Sequence, residues 1–445
     1  MKTSKYGFTS VVTVVVAVAL ALLTQAGPAA AGPQATTTYG DPFTWMGAEA
    51  AAMGGTGAAV YRGGLSNVFN PAFLVVETDK RLDAGVMLDQ EHEDRLQPLY
   101  DSFNSWVADV SIASNRHHFW QTGFGFAKRV GTGPHAVAIG LSLTDRFPWG
   151  YAFREEIRNP SPYQPRSASE PARDVIVALR ERQVTGVLRA LSFGVAAETS
   201  ERVSVGTAIH YNYGTRRDVA SSLDMDRVGT DDSFRDSDEL KLTGVSVSAG
   251  LRARCSERVD LGFAVESGIR ASGDWRQQHF AATGATDTTQ GSFQDYPWCA
   301  RAGLAFRPRN ELPTVFTLEI EYRPWSDLRD GTLGDDVTPI LHDAADVRLG
   351  VEHTFYNGMP LRFGFRHLAS YADRDAAVTA FTAGTAARVG EGRLNASVEL
   401  AKTSNELRHQ FPYPTNYFGT AYYVSGKAMV DDTRFRVGVS YTMEF

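Results

Sequence analysis

The last strand of the chain suits only one environment. From Arg434 to Phe445, apolar or aromatic side chains stand at every odd position (Phe435, Val437, Val439, Tyr441, Met443 and Phe445). A period of two puts them on one face, with Arg436, Gly438, Ser440, Thr442 and Glu444 on the other. One greasy face, one polar face and a terminal aromatic is the pattern of the closing strand of an outer-membrane β-barrel. Phe445 is then the residue through which the barrel-assembly machinery would engage the chain.

The N-terminus points to the same compartment. Lys2 and Lys5 precede an apolar run from Val11 to Leu23 and the small residues Ala29, Ala30 and Ala31. This reads as a secretory signal over residues 1–31, because the apolar run is shorter than the roughly 20 residues of a helical span. No comparable run follows and mean hydropathy is slightly negative. Helical spans are therefore excluded, while barrel strands, apolar at every second residue, are not. The remaining chain shows no linker or composition break, so one large barrel is the simplest account of 445 residues. A net charge of -7 gives no encouragement to nucleic-acid binding. Cys255 and Cys299 fall near opposite ends of their strands, a doubtful geometry for a disulfide.

The alternation recurs. Val245, Val247, Ala249, Leu251 and Ala253 interleave with Ser246, Ser248, Gly250, Arg252 and Arg254, and Val259, Leu261, Phe263 and Val265 with Asp260, Gly262, Ala264 and Glu266. The turn Ser256-Glu257-Arg258 joins the two as a hairpin. Short connections near Ser200, Ser256, Asn357 to Met359 and Gly390 to Gly392 take turns with long polar ones at 160–182, 218–239, 281–295, 327–343 and 403–432. The long set should face outward. The predicted fold is all-β, a transmembrane antiparallel β-barrel of about 14 strands (range 14–16, the larger count if residues 106–157 hold four).

Opposite the apolar face stand Arg252, Arg254, Glu266, Arg270, Glu319, Glu321, Arg323, Arg348, Glu352, Glu399, Arg436 and Glu444. Arg or Lys against lipid costs about 2–4 kcal/mol at the midplane, so these are expected in the lumen, paired across neighbouring strands. Trp106, Trp120, Trp149, Trp275, Trp298 and Trp325 lie near strand ends, as an interfacial girdle would.

Residues 32–79 lack barrel alternation and carry a glycine cluster, Gly54, Gly55 and Gly57, followed by Asn70, Pro71 and Ala72. Glycine permits tight packing and Asn-Pro favours a turn, so this segment suits a compact element inside the lumen of a barrel formed by residues 80–445. The cluster closely resembles the N-terminal hatch of the FadL-like long-chain fatty acid transporters, and also that of the related PorV/PorQ-type barrels of type IX secretion. The resemblance implies a 14-stranded barrel whose hatch blocks the lumen, with hydrophobic molecules captured outside and released sideways through a strand distortion. Phe73 and Leu74 depart from the family pattern, where a Gly often follows.

A transporter of apolar molecules needs an apolar collecting surface. The last long loop offers Phe411, Tyr413, Tyr417, Phe418, Tyr422 and Tyr423 as a candidate hydrophobic capture site, or as aromatics packed over the barrel mouth. The acidic run Asp224 to Glu239 lacks the ordered spacing of a calcium loop. His117 and His118 point to opposite faces of a strand and make a poor chelating pair. Ser204 and His210 share a face but are about 20 Å apart along one strand, too far for a nucleophile and its base. The sequence therefore reads as a non-enzymatic outer-membrane channel without cofactor or metal, for passive uptake of fatty acid- or hydrocarbon-type molecules. Its expected partners are membrane lipid, lipopolysaccharide and those solutes. The alternative is a PorV-like docking and shuttle barrel with a secretion-system protein partner.

Overall fold

A computed structural model describes residues 36–41, 47–76, 79–131, 136–158, 176–225, 233–333, 339–372, 377–411, 422–424 and 426–445. The expected signal, residues 1–31, lies outside them. Strands form where the sequence alternates: β1 (Lys80–Asp101), β2 (Trp106–Val130), β3 (Val137–Pro148), β4 (Tyr151–Arg158), β5 (Ile176–Ser200), β6 (Val203–Asp224) and β7 (Phe234–Ser256). There follow β8 (Val259–Glu266), β9 (Ile269–Ala281), β10 (Gly284–Tyr296), β11 (Cys299–Phe306), β12 (Thr314–Arg323) and β13 (Arg329–Asp330). The chain ends with β14 (Ala344–Thr354), β15 (Pro360–Leu368), β16 (Val378–Val389), β17 (Gly392–Arg408), β18 (Tyr422–Val424) and β19 (Lys427–Glu444).

All belong to one antiparallel sheet that closes on itself, with β1 paired to β19 from Arg81↔Glu444 to Leu96↔Met429. The pairs β3/β4, β8/β9 and β10/β11 are single strands interrupted at Trp149-Gly150, Ser267-Gly268 and Pro297-Trp298, and β13 and β18 are short additions. The barrel accordingly has 14 strands. Residues 106–157 supply two of them rather than four. The long connection expected at 281–295 is instead a hairpin, because β9 and β10 stay paired from Gly284↔Ala281 to Tyr296↔Ile269.

Alternate side chains point outward with nothing of the protein over them. Val205, Ile209, Leu251, Phe263, Ile320 and Phe435 are 39–51% exposed. Covering each is worth about 1.5–3 kcal/mol, and the belt they share runs right round the barrel, so lipid is the covering medium. Cys255 is exposed and Cys299 buried, both as free thiols.

Residues 36–41 and 47–76 occupy the lumen. Gly47–Val76, with short helices at Ala48–Ala52 and Ser66–Phe69 and a 3-10 turn at Pro71–Val76, crosses the half nearest the short turns. It can lie directly on the wall because wall glycines face it. Gly140 pairs with Gly194, Gly206 with Gly250, Gly262 with Gly303 and Gly350 with Gly364. A Cβ on Gly206 would sit 2.5 Å from the Pro71 carbonyl carbon, and one on Gly350 2.7 Å from the Met53 oxygen. Within the segment, Gly54 has φ +71° and its own Cβ would meet the Phe365 oxygen at 2.6 Å.

These contacts predict the effect of Gly206→Val. Val favours a strand, so the barrel should remain heat-modifiable on gels. Overpacking by about 1–3 kcal/mol should raise thermolysin cleavage within residues 47–76 about tenfold. Unchanged protection would mean that the glycine belt is not what seats the segment.

Candidate functional site

The inserted segment is bonded to the wall around the full circumference. Ala48 N donates to Ser440 Oγ at 3.1 Å, Gly54 N to Thr382 Oγ1 at 3.0 Å, and Thr56 Oγ1 lies 2.8 Å from Thr317 Oγ1. Glu319 Oε2 accepts from both Gly57 N and Ala58 N at 2.7 Å. Arg301 donates to Val68 O at 2.9 Å and Ser204 to Ala72 O at 3.0 Å. Asn70 is fully buried at the centre of this arrangement. Its amide donates to Ala58 O at 2.9 Å and to Leu251 O of β7 at 3.0 Å, and its Oδ1 accepts from Ala72 N at 3.1 Å. Asn70, Pro71 and Ala72 thus join the glycine loop, the 3-10 turn and the wall. Gly55 adopts φ 83° in that loop, while Gly57 faces the Phe69 ring.

Most lumen charges form several ion-pair groups, one of which grips the same segment through Glu319 and Arg301. Arg146 pairs with Glu266 at 2.8 Å, Arg301 with Glu321 at 2.8 Å, and Arg348 with both Glu319 and Glu321 at 3.0 Å. Arg323 lies 3.6 Å from Glu321. Arg252 meets Asp260 at 3.1 Å and Glu352 meets Arg362 at 2.5 Å. Arg254 is also near Asp260 but lies exposed at the rim, where β7 ends. Arg270 departs from expectation and faces outward: the break at Ser267-Gly268 inverts the alternation, so Ile269 and Ala271 turn in instead. Buried pairs of this kind gain little net stability, yet leaving one member alone is costly, which fixes the geometry around the segment.

The outer half of the lumen holds an aromatic cluster set among buried ion pairs such as Arg95–Glu93 and Arg180–Glu155. Phe147, Trp149, Tyr151 and Phe153 alternate through the β3/β4 break and are all buried inside. They pack with Tyr39, Tyr296, Trp325, Tyr371 and Phe411 in a single cluster. Phe147 stacks on Tyr296 at 4.7 Å between ring centroids and Trp325 on Tyr371 at 4.2 Å. The first described residues cap it: Asp41 N donates to Pro148 O at 3.0 Å, Tyr371 Oη to Gly40 O at 2.9 Å, and Asp41 pairs with Arg436 at 2.9 Å.

The β-bulge at Asp145–Phe147, just before that break, ends the ladder to β2. β2 pairs with β3 only from Gly123↔Thr144 to Val130↔Val137, and with β4 only at Ser111↔Ile157 and Ile112↔Glu156. Between them β2 has no ladder partner on that side. Thr122 N is satisfied by Asp145 Oδ2 at 2.7 Å, and Asn115 Oδ1 accepts from Arg154 N at 2.9 Å. The Phe119 ring fills the space beside Gly150, where a Cβ would lie 2.7 Å from it. The outcome is a gap in the hydrogen-bond ladder between β2 and β3/β4, filled by side chains rather than by backbone.

Of the expected capture residues, Phe411 is 5% exposed inside the aromatic cluster, stacked near Phe153 at 6.3 Å, and so is packed over the barrel mouth rather than presented to solvent. Tyr423 is exposed and donates to Asn104 Oδ1 at 2.6 Å. Tyr413, Tyr417 and Phe418 lie outside the described residues, as does the Tyr422 side chain. Trp106, Trp120 and Trp298 are exposed on the barrel, whereas Trp149 and Trp325 are buried in the cluster and Trp275 packs against it. Each of the two buried residues follows a strand interruption or end that turns the chain inward. His210 sits between Ser192 Oγ at 2.8 Å and Ser248 Oγ at 3.0 Å, while Ser204 is bonded to Ala72. The aromatic ladder went unread, although Phe147-Pro148-Trp149-Gly150-Tyr151, with Pro and Gly inside an alternating run, carries the signal of a bent strand.

The sequence matches no protein-family model and no curated protein. Solved structures do match. A Pseudomonas aeruginosa FadL homologue superposes with TM-score 0.61 at 11% identity, covering 90% of this chain and 99% of that one. The P. putida toluene transporter TodX gives 0.59 at 14% identity over 91% and 99%, and the Ralstonia pickettii toluene transporter TbuX 0.56 at 14% over 90% and 98%. This chain has the FadL-like outer-membrane transporter fold.

Glu319→Gln tests the seat. An amide offers one acceptor and adds a donor facing two donors, so about 1.5–3 kcal/mol should be lost. Hydrogen exchange at the Gly57 and Ala58 amides should accelerate about tenfold or more. Unchanged exchange would mean that Glu319 serves only the arginine ladder.

Proposed function

We propose that the protein is an outer-membrane channel for passive uptake of small hydrophobic molecules, with residues 36–76 acting as its hatch. The ladder gap beside an aromatic cluster, above a lumen filled by backbone, carries this reading. An apolar solute gains about 25 cal/mol per Å² of surface removed from water, which the aromatic cluster supplies. Two exits then compete. Lifting the hatch out of the axial path breaks wall hydrogen bonds of about 0.5–1.5 kcal/mol each, on the order of 10 kcal/mol in sum before any packing is lost. Passing sideways needs only rotamer changes at residues such as Phe119, at about 1 kcal/mol each. Sideways release into lipid wins by a wide margin.

The gate is assigned to the tip of the hatch, Thr36–Asp41, which rests on Pro148 and Phe147 at the bend. Asn70, Pro71 and Ala72 are the anchor against which that tip moves. Flow follows the solute's own gradient and needs no chemistry. The solved structures it resembles include channels named for toluene and other monoaromatic hydrocarbons, which favours solutes of that size. The secretion-shuttle alternative finds no support among them.

Bridging the gap tests the route. Ser114→Cys and Arg154→Cys, both on the outer face beside it, should be joined by a short reductant-cleavable bis-thiol linker. Uptake of labelled toluene or fatty acid into cells is expected to fall to background on linking and to recover on reduction. Undiminished uptake in the linked protein would rule the side route out.

A further inference from the structure

At the periplasmic end, beneath the inserted segment, lies a cavity of about 550 Å³. Arg62, Arg81, Arg307, Arg388 and Arg393 line it. Arg62 is the single exposed residue of Gly47–Val76, so the segment presents one cation to this space. Arg388 and Arg393 are directly opposite one another in the β16–β17 ladder, at the rim. Like charges so placed destabilise a sheet unless a counter-charge sits between them.

The carboxylates nearby are largely committed elsewhere. Glu49 is held by Arg81 at 3.2 Å and Arg362 at 3.9 Å, with a more distant contribution from Arg393. Glu352 is taken by Arg362 at 2.5 Å, and Glu444 lies 3.9 Å from Arg81. Asp260 occupies Arg307 at 2.6 Å. Among the described residues, Arg62, Arg388 and Arg393 form no ion pair or side-chain hydrogen bond, which leaves Glu391 as one carboxylate facing three guanidinium groups. Planar guanidinium forks match the oxygens of carboxylates and phosphates.

We propose that this vestibule binds a small soluble oxyanion, a carboxylate or a phosphate, between Arg62 of the inserted segment and the Arg388–Arg393 pair of the rim. Bound there, the anion bridges segment and barrel and fastens one to the other from the periplasmic side.

Calorimetric titration of the intact protein in detergent tests this, with citrate and inorganic phosphate as separate probes and NaCl holding ionic strength constant. At least one probe should bind saturably, one per barrel. Arg388→Gln and Arg393→Gln should each weaken binding about tenfold or more, as loss of a charge-assisted hydrogen bond would. Arg258→Gln, on an exposed turn at the same end, should leave it unchanged. Binding of phosphate alone marks a phosphorylated ligand, of citrate alone a carboxylate, and either supports the site. No saturable binding of either probe, or equal weakening by Arg258→Gln, overturns it.

Discussion

Backbone lying directly on barrel wall is the contact on which the rest of this structure depends. Fourteen strands enclose more space than their own side chains fill, and a strand lumen that is charged at alternate positions cannot be filled by an apolar core. The wall glycines remove side chains where Met53, Ala58, Asn67 and Pro71 come closest. Glu319, Thr317, Thr382 and Ser204 then supply the partners that the segment's own polar groups need in a space shielded from water. Neither part is sufficient alone: without the glycines the segment stands off the wall, and without the carboxylate and hydroxyls its amides would be buried unpaired.

That seat divides the lumen into two unlike halves. Near the periplasm, ionic ladders and backbone contacts fill the cross-section. Near the outer loops an aromatic cluster joins the ion pairs, and there the ladder of the wall is interrupted. The β-bulge at Asp145–Phe147 does both jobs at once: it turns Phe147, Trp149, Tyr151 and Phe153 inward and ends the ladder to β2 at Thr144. A single bend thereby places an aromatic cluster beside the gap in the ladder. Asp145 shows the cost: its outward-parity carboxylate is buried at the gap and must be met by Thr122 and Arg189, both on the outward face.

Much of the fold was legible because a barrel strand writes its two faces into alternate residues. Leu251 and Phe263 were read onto the apolar face, and Arg252, Glu266 and Glu319 as inward, from that period alone. Period two carries no information about which strands are neighbours, so Arg146, Arg301 and Arg362, which complete the ladders, went unrecognised. It also fails wherever the chain bends. Arg270 was misread because the Ser267-Gly268 break shifts parity by one, and Trp149 and Trp325 because a girdle residue and a residue turned inward at a strand end look alike in sequence. Phe411 was left between two readings for a related reason: a loop aromatic can face solvent or fold back over the mouth, and only Phe153 and Phe234 show that it folds back. The Gly54 to Ala72 motif, by contrast, was locatable because it interrupts the alternation altogether.

The most direct test of hydrophobic uptake is mass spectrometry of the protein gently extracted from its native membrane. A hydrocarbon or fatty acid retained well above its proportion in bulk lipid is the predicted result, and would give the substrate class. A stoichiometric protein partner, with no small hydrophobic ligand enriched, would contradict the channel reading and favour a docking role for the barrel.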